Sequence, residues 1–206
     1  MRIIANRKDT ETNDRFGFHL KEACRGRHVD IAVAFFTDYE TVKELIEKGS
    51  EINLIVRLNR GTKPYALRQI LGKENVQIRY YTDTKFHPKL YIVRHSCAFV
   101  GSSNLTESAM YRNNEVNIVF DYEEDEGAYI ELERIFDDYW KKAAVLDNNK
   151  LKQFEELEKS NPSQLDYYKD FEKTLGFVSF ENTSTDKTEN KKDSYINKFK
   201  REYQNY

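Results

Sequence analysis

The segment Ile31–Phe36, IAVAFF, constrains the fold more than any other stretch of the chain. Six consecutive apolar residues without polar alternation fit a strand covered on both faces. Such a strand needs a sheet in the middle of the domain and a packed layer on each side. Its surroundings repeat the theme. Asp38–Lys48 reads as a helix, with Val42, Leu45 and Ile46 on one face and Gly49 at its end. Ile52–Leu58 is a second strand, Arg60–Pro64 a loop, and Tyr65–Leu71 a short helix ending at Gly72. Val76–Tyr81, Lys89–Val93, Ala98–Val100 and Glu115–Phe120 are further strands, and Glu107–Tyr111 and Asp14–Cys24 further helices. Alternation at this spacing predicts an α/β fold with a mixed, mainly parallel β-sheet flanked by helices.

After Phe120 the pattern changes. Glu123–Leu146 reads as a long acidic helix anchored by Ile130, Ile135, Tyr139 and Trp140, and Leu151–Lys159 and Ser163–Leu175 as two more. Residues 181–206 are polar and low in complexity, as expected of a flexible tail. The expected organisation is a catalytic domain over residues 1–146, a helical appendage over 147–180 and the tail over 181–206.

A formal net charge of −2 over 206 residues, taken as an average, argues against a polyanionic partner. Residues 1–120, however, hold 19 basic against 14 acidic side chains, and residues 121–206 hold 14 against 21. Such asymmetry keeps nucleic acid open as a partner. No run approaches the roughly 18 apolar residues of a membrane span, so no membrane partner is expected. The opening Met-Arg-Ile-Ile-Ala-Asn-Arg-Lys lacks the apolar stretch of a signal peptide. Cys24 and Cys97 fit neither a disulfide framework nor a C-x-x-C metal pattern. A reducing, cytoplasmic setting follows as the expectation.

The residues that carry chemistry lie within Phe86–Glu115. His87 and Lys89 stand at i and i+2 at the head of a strand and so project from one face. Ser102 and Asn104 follow Gly101 with the same spacing, and Glu115 opens the next strand. An imidazole can act as nucleophile or as general acid and base near neutral pH. A lysine ammonium neutralises phosphate oxygens. Hydroxyl and amide donors hold the remaining oxygens, and a carboxylate can orient an imidazole. Together these groups can cleave a phosphodiester without a metal or other cofactor.

The same residues resemble the phospholipase D superfamily, whose signature H-x-K and G-S-x-N matches His87-x-Lys89 and Gly101-Ser102-Ser103-Asn104. The Lys89–Asn104 interval and the position of Glu115, eleven residues beyond Asn104, resemble the small nuclease branch. The resemblance implies catalytic roles for His87, Lys89, Ser102, Asn104 and Glu115. The family's usual aspartate, five positions after the lysine, is Arg94 here. The chain carries one motif set, whereas the family's site uses two. The resemblance therefore implies a homodimer with a shared site, in which one His87 attacks phosphorus and the other protonates the leaving oxygen.

Other residues have plainer readings. His19-Leu20-Lys21 repeats H-x-K but falls in an expected helix, where i and i+2 diverge, so it reads as surface or packing. His28 and His95 read as structural or exposed. Arg57, Arg60, Lys63 and Arg68 cluster around one loop, and Arg112 lies between Asn104 and Glu115. Nucleic-acid contact is expected of Arg57, Arg60, Lys63 and Arg112, with a solvated basic loop as the alternative. The leading expectation is a metal-independent endonuclease, with DNA ahead of RNA as substrate. A phospholipid headgroup hydrolase and a non-catalytic nucleic-acid-binding or dimerisation module are the rivals. The C-terminal segment is a possible docking surface for a protein partner.

Overall fold

The computed structural model describes residues 1–7, 9–160, 174–176 and 178. Its strands are β1 (Arg2–Asn6), β2 (His28–Val33), β3 (Glu51–Arg57), β4 (Val76–Tyr81), β5 (Lys89–Val93), β6 (Cys97–Gly101), β7 (Glu115–Asp121) and β8 (Ala144–Val145). They form one sheet in the order β1-β7-β6-β5-β2-β3-β4-β8. The helices are α1 (Phe16–Cys24), α2 (Tyr39–Glu47), α3 (Pro64–Ile70), α4 (Glu107–Tyr111), α5 (Glu126–Lys142) and α6 (Asn148–Ser160). The helix expected over 163–175 lies outside the described residues except for 174 and 175, and so does the whole tail.

Half of the apolar run, Ile31–Val33, lies in β2, which begins earlier at His28, while Ala34–Phe36 continue past the end of the strand. Val29, Ile31 and Val33 of β2 point into one core layer, while Ala32 points into the other. β3 divides in the same way, with Leu54 and Val56 on one side and Ile55 on the other. The first layer is filled by Phe16, Leu20 and Cys24 of α1, Val42 and Leu45 of α2, Ala66, Leu67 and Ile70 of α3, and Leu151 and Phe154 of α6. The second is closed by Tyr129 and Phe136 of α5 over Leu90, Ile92 and Ala98. Each fully buried large side chain contributes about 1.5–3 kcal/mol.

The sheet is mixed and flanked by helices, as expected, but its parallel part is smaller than the sequence implied. Among the strands of the described residues, only β2–β3 and β3–β4 pair in parallel. The pairs β1–β7, β2–β5, β4–β8, β5–β6 and β6–β7 are antiparallel. The cause lies in the connections. α2 and α3 give β2–β3 and β3–β4 the crossovers that parallel pairing needs. β5 and β6 are joined only by Arg94–Ser96, a turn in which His95 takes φ 56°. Three residues reverse the chain and cannot carry it back across the sheet. β1 and β8 had no counterpart among the expected strands.

Arg94, the residue in place of the usual aspartate, has a structural task. Its guanidinium binds the fully buried carboxylate of Asp30 in β2 and reaches Glu133 (3.0 Å) and Asp137 (3.1 Å) of α5. Asp30 also accepts from Asn53 Nδ2 (2.8 Å) and meets His28 Nε2 at 3.2 Å. The cluster fastens α5 to the sheet at the far end of β5 from Lys89. At about 3.3 Å per residue the two residues stand roughly 16 Å apart. Removing the arginine would leave Asp30 charged and buried without its main partner. Arg94→Ala is expected to cost about 3 kcal/mol of stability, read as a lower urea midpoint with an unchanged slope. An unchanged midpoint would show that the cluster carries no net stability.

Candidate active site

His87, Lys89, Ser102, Asn104 and Glu115 meet at one end of the sheet. β5 and β7 begin there, β6 ends there, and the parallel strands β2 and β3 deliver their carboxyl ends to the same edge. Binding sites in sheets with parallel strands favour this edge.

Lys89 opens β5, and His87 lies two residues before it. The Lys89 ammonium donates to His87 Nδ1 at 2.6 Å and to the His87 carbonyl at 3.1 Å. The imidazole is exposed, and the ring of Phe35 meets it edge-on at 5.7 Å between centroids. Burial first, then the positive charges of Lys89 and Arg57, lower the His87 pKa below its ordinary value. The Lys89 pKa is lowered by burial and by Arg57, against an opposing pull from Glu115. The cations therefore favour a neutral imidazole with a lone pair.

Gly101 fixes the second half of the site. A side chain there would meet the Val116 carbonyl at 2.2 Å and Asn117 Oδ1 at 2.5 Å, so β6 and β7 can close only on glycine. Beyond it, the Ser102 N–H donates to the Val116 carbonyl (3.0 Å), and Ser102 Oγ accepts from the Val116 N–H (3.0 Å) and donates to the Glu115 carboxylate. Glu115 also accepts from Asn113 Nδ2 at 3.4 Å. Within one chain the carboxylate thus holds the serine hydroxyl. Asn104 Oδ1 accepts the Phe35 N–H at 3.0 Å, which leaves its amide NH₂ as the donor for a ligand.

Ser103, between the two motif residues, is fully buried. Its hydroxyl accepts from Asn117 Nδ2 at 2.8 Å and its carbonyl from Tyr91 Oη at 2.9 Å. Asn6 performs a similar service behind the site. It donates to the Ala109 and Met110 carbonyls of α4 (2.9 and 3.1 Å) and accepts from the Phe16 N–H at 2.8 Å. Sequence reasoning singled out none of Phe35, Asn6 and Asn117. The available signal was a polar residue inside a strand of otherwise apolar neighbours, as in β1 and β7.

The cations expected to meet nucleic acid are dispersed. Arg57 is only 7% exposed. Arg60 is half-buried in the loop after β3. Lys63 precedes α3 with its ammonium 3.8 Å from Glu158 of α6. Arg68 binds Glu155 of α6 at 2.9 Å. Arg112 is exposed and pairs with Glu107. The second H-x-K sits in α1, where Lys21 pairs with Glu44 at 3.0 Å and lies over the rings of Phe18 and Tyr111. Among the described residues, no three His, Cys, Asp or Glu side chains gather as metal ligands, and no helix is long and apolar enough to cross a membrane.

Two measurements test this geometry. In an NMR titration the His87 imidazole is expected to protonate at lower pH than an exposed histidine. A midpoint at or above the ordinary value of about 6.5 would contradict the assigned surroundings. Gly101→Ala is expected to lose at least about 2 kcal/mol of stability, because the new methyl meets backbone on β7. Wild-type stability in that variant would show that the strands are not so closely apposed.

Similarity to known proteins follows the same outline. Among curated proteins none matches the chain. Among solved structures, NucT from Helicobacter pylori superposes with a TM-score of 0.58 at 14% identity, covering 70% of this chain and 99% of its own. Nuc from Salmonella typhimurium, a phospholipase D family member, gives a TM-score of 0.54 at 18% identity, covering 71% and 97%. Phosphatidylserine synthase from Haemophilus influenzae Rd KW20 gives 0.55 at 15% identity, covering 83% and 44%. These likenesses establish a shared fold. The family described as cardiolipin synthase, PLD-like domain, matches residues 19–140. That span takes in more than half the chain and every motif residue at this end of the sheet, and the chain belongs to the PLD-like domain family of the phospholipase D superfamily of phosphodiesterases.

Proposed function

We propose that the chain is a metal-independent endonuclease that cleaves DNA in preference to RNA through a phosphohistidine formed in a site shared by two copies. The observation that carries this reading is the convergence of His87, Lys89, Ser102, Asn104 and Glu115 on one edge of a predominantly basic lobe.

The chemistry follows from the groups present. The ammonium of Lys89 occupies His87 Nδ1 at 2.6 Å. Its transfer to a non-bridging phosphate oxygen neutralises charge and frees the ring lone pair. The Asn104 amide and the Ser102 hydroxyl hold the other oxygens. One His87 enters as the neutral ring and attacks phosphorus: a P–N bond forms, the P–O bond opposite breaks, and the leaving oxygen takes a proton from His87 of the second copy, which enters as the imidazolium because the negative charge of the bound phosphate offsets the cations around it. That second imidazole, now neutral, removes a proton from water as the water attacks phosphorus. The P–N bond breaks, and a phosphate monoester and free His87 are released. Every proton is handled by an imidazole.

A chain with one complete motif set needs a second copy for this sequence, and the rim of the site offers an apolar contact. Val116, directly across from Ser102, is 54% exposed, and Ile3 on the neighbouring strand is 69% exposed. An isologous pair could bring both copies of this rim together.

Plasmid and single-stranded DNA are expected to be cut in excess EDTA, with His87→Ala slower by about a thousandfold or more. An enzyme inert on all nucleic acids, or a His87→Ala variant as fast as wild type, would refute the reading. Light scattering is expected to show a dimer, and a fully active monomer of 24.5 kDa would refute the shared site. The family's description favours one second reading, a phospholipid headgroup phosphodiesterase. Choline release from phosphatidylcholine vesicles, with DNA left uncut, would establish that reading instead.

A further inference from the structure

We propose that Arg57 and Phe35 form a positioning pair that holds His87 for reaction from beneath, and that Arg57 is not a contact for substrate phosphate. The inference rests on the reading of His87 as the reacting group.

Arg57 closes β3 with its side chain turned inward, 7% exposed. Its guanidinium donates to the Thr84 carbonyl at 2.5 Å and to the Phe86 carbonyl at 3.3 Å. Both carbonyls belong to the segment that leads into His87. The arginine therefore grips the backbone on which the imidazole stands. A second route runs through Phe35. The guanidinium lies 5.3 Å from the Phe35 ring centroid, and that ring meets the imidazole edge-on. Phe35 is itself held on further sides. Its N–H donates to Asn104 Oδ1, and the backbone of Gly61 lies so close that a side chain there would come within 2.3 Å of the ring. Arg57, Phe35, His87 and Asn104 are thus one packed unit, and the two halves of the motif meet through Phe35.

Charge points the same way. Lys89 from β5 and Arg57 from β3 both bear on His87, and Glu115 from β7 bears on Lys89. A buried arginine beneath Lys89 is poorly placed for binding alone, since a surface arginine would reach phosphate better. Its position suits a group that keeps the attacking imidazole neutral and oriented.

The test uses a small diester, bis(p-nitrophenyl) phosphate, together with plasmid DNA, on wild type, Arg57→Met, Arg57→Lys and Phe35→Leu. Arg57→Met is expected to lower kcat on both substrates by about 10- to 100-fold, with KM for DNA changed less than about threefold. Loss of a positive charge lets His87 take up its proton more readily, so the acidic limb of the pH–rate profile moves to higher pH. Arg57→Lys keeps that limb in place and restores part of kcat. Phe35→Leu lowers kcat and leaves the limb where it was. The opposite pattern overturns the proposal: KM for DNA raised and its salt dependence weakened by about one phosphate contact, with kcat and the pH limb unchanged. NMR titration of His87 in wild type and Arg57→Met reads the same positioning without turnover. If wild type cuts neither substrate, the functional reading fails. If the His87 midpoint nevertheless rises in Arg57→Met, the positioning stands alone, and an unmoved midpoint refutes it.

Discussion

The register of the β5–β6–β7 ladder is the constraint on which the site depends. Leu90, Val100 and Ile118 form one row across the three strands, and Gly101 pairs with Asn117 in the next. Side chains alternate between faces, so a slip of one residue would exchange the core row for the polar one. Gly101 and Asn117 prevent that slip by contact. Only glycine fits against the Val116 carbonyl, and the Asn117 amide is spent on Ser103. With the register locked, Ser102 falls beside Glu115 and Asn104 beside Phe35. The motif G-S-x-N is then as much a device for closing two strands as a set of ligands for phosphate.

Local signals carried much of this. The six-residue apolar run announced a central strand, and β2, which takes in its first three residues, is buried on both faces. α4 spans Glu107–Tyr111, the residues over which a helix is expected from the sequence. The motif spacing brought five side chains to one edge, because i, i+2 spacing and the ends of paired strands are local geometry. Pairing partners are not local. RIIAN is too short and too near the terminus to stand out, yet it seals the sheet edge as β1. The balance of parallel and antiparallel pairs depends on connection lengths, which only a full ordering of strands supplies. Arg57 shows the same limit. In sequence it is a cation before a loop, and its inward turn is decided by carbonyls 27 and 29 positions further along the chain.

Two arginines in this fold bear charge that composition would assign to a surface. Arg94 neutralises a carboxylate within the sheet at one end, and Arg57 supports the imidazole at the other. Lys63 and Arg68 face glutamates of α6. The excess of positive charge in the first 120 residues is therefore partly structural, and the acidic C-terminal half supplies some of its counter-charge directly.

The pairing of β1 with β7 bears on how the chain assembles. Ile4 stands opposite Asn117, and Asn6 opposite Glu115. The first strand of this sheet in chain order thus waits for nearly the last, and a closure of that span is entropically slow. The β2–β3–β4 crossovers can form earlier from nearby sequence. Until β7 is made, β1 has no neighbour, Asn6 lacks its α4 carbonyls, and Ser102 lacks both Val116 and Glu115. Sealing of the sheet edge and completion of the phosphodiester chemistry are the same event, so an unfinished chain is open at its edge and chemically silent.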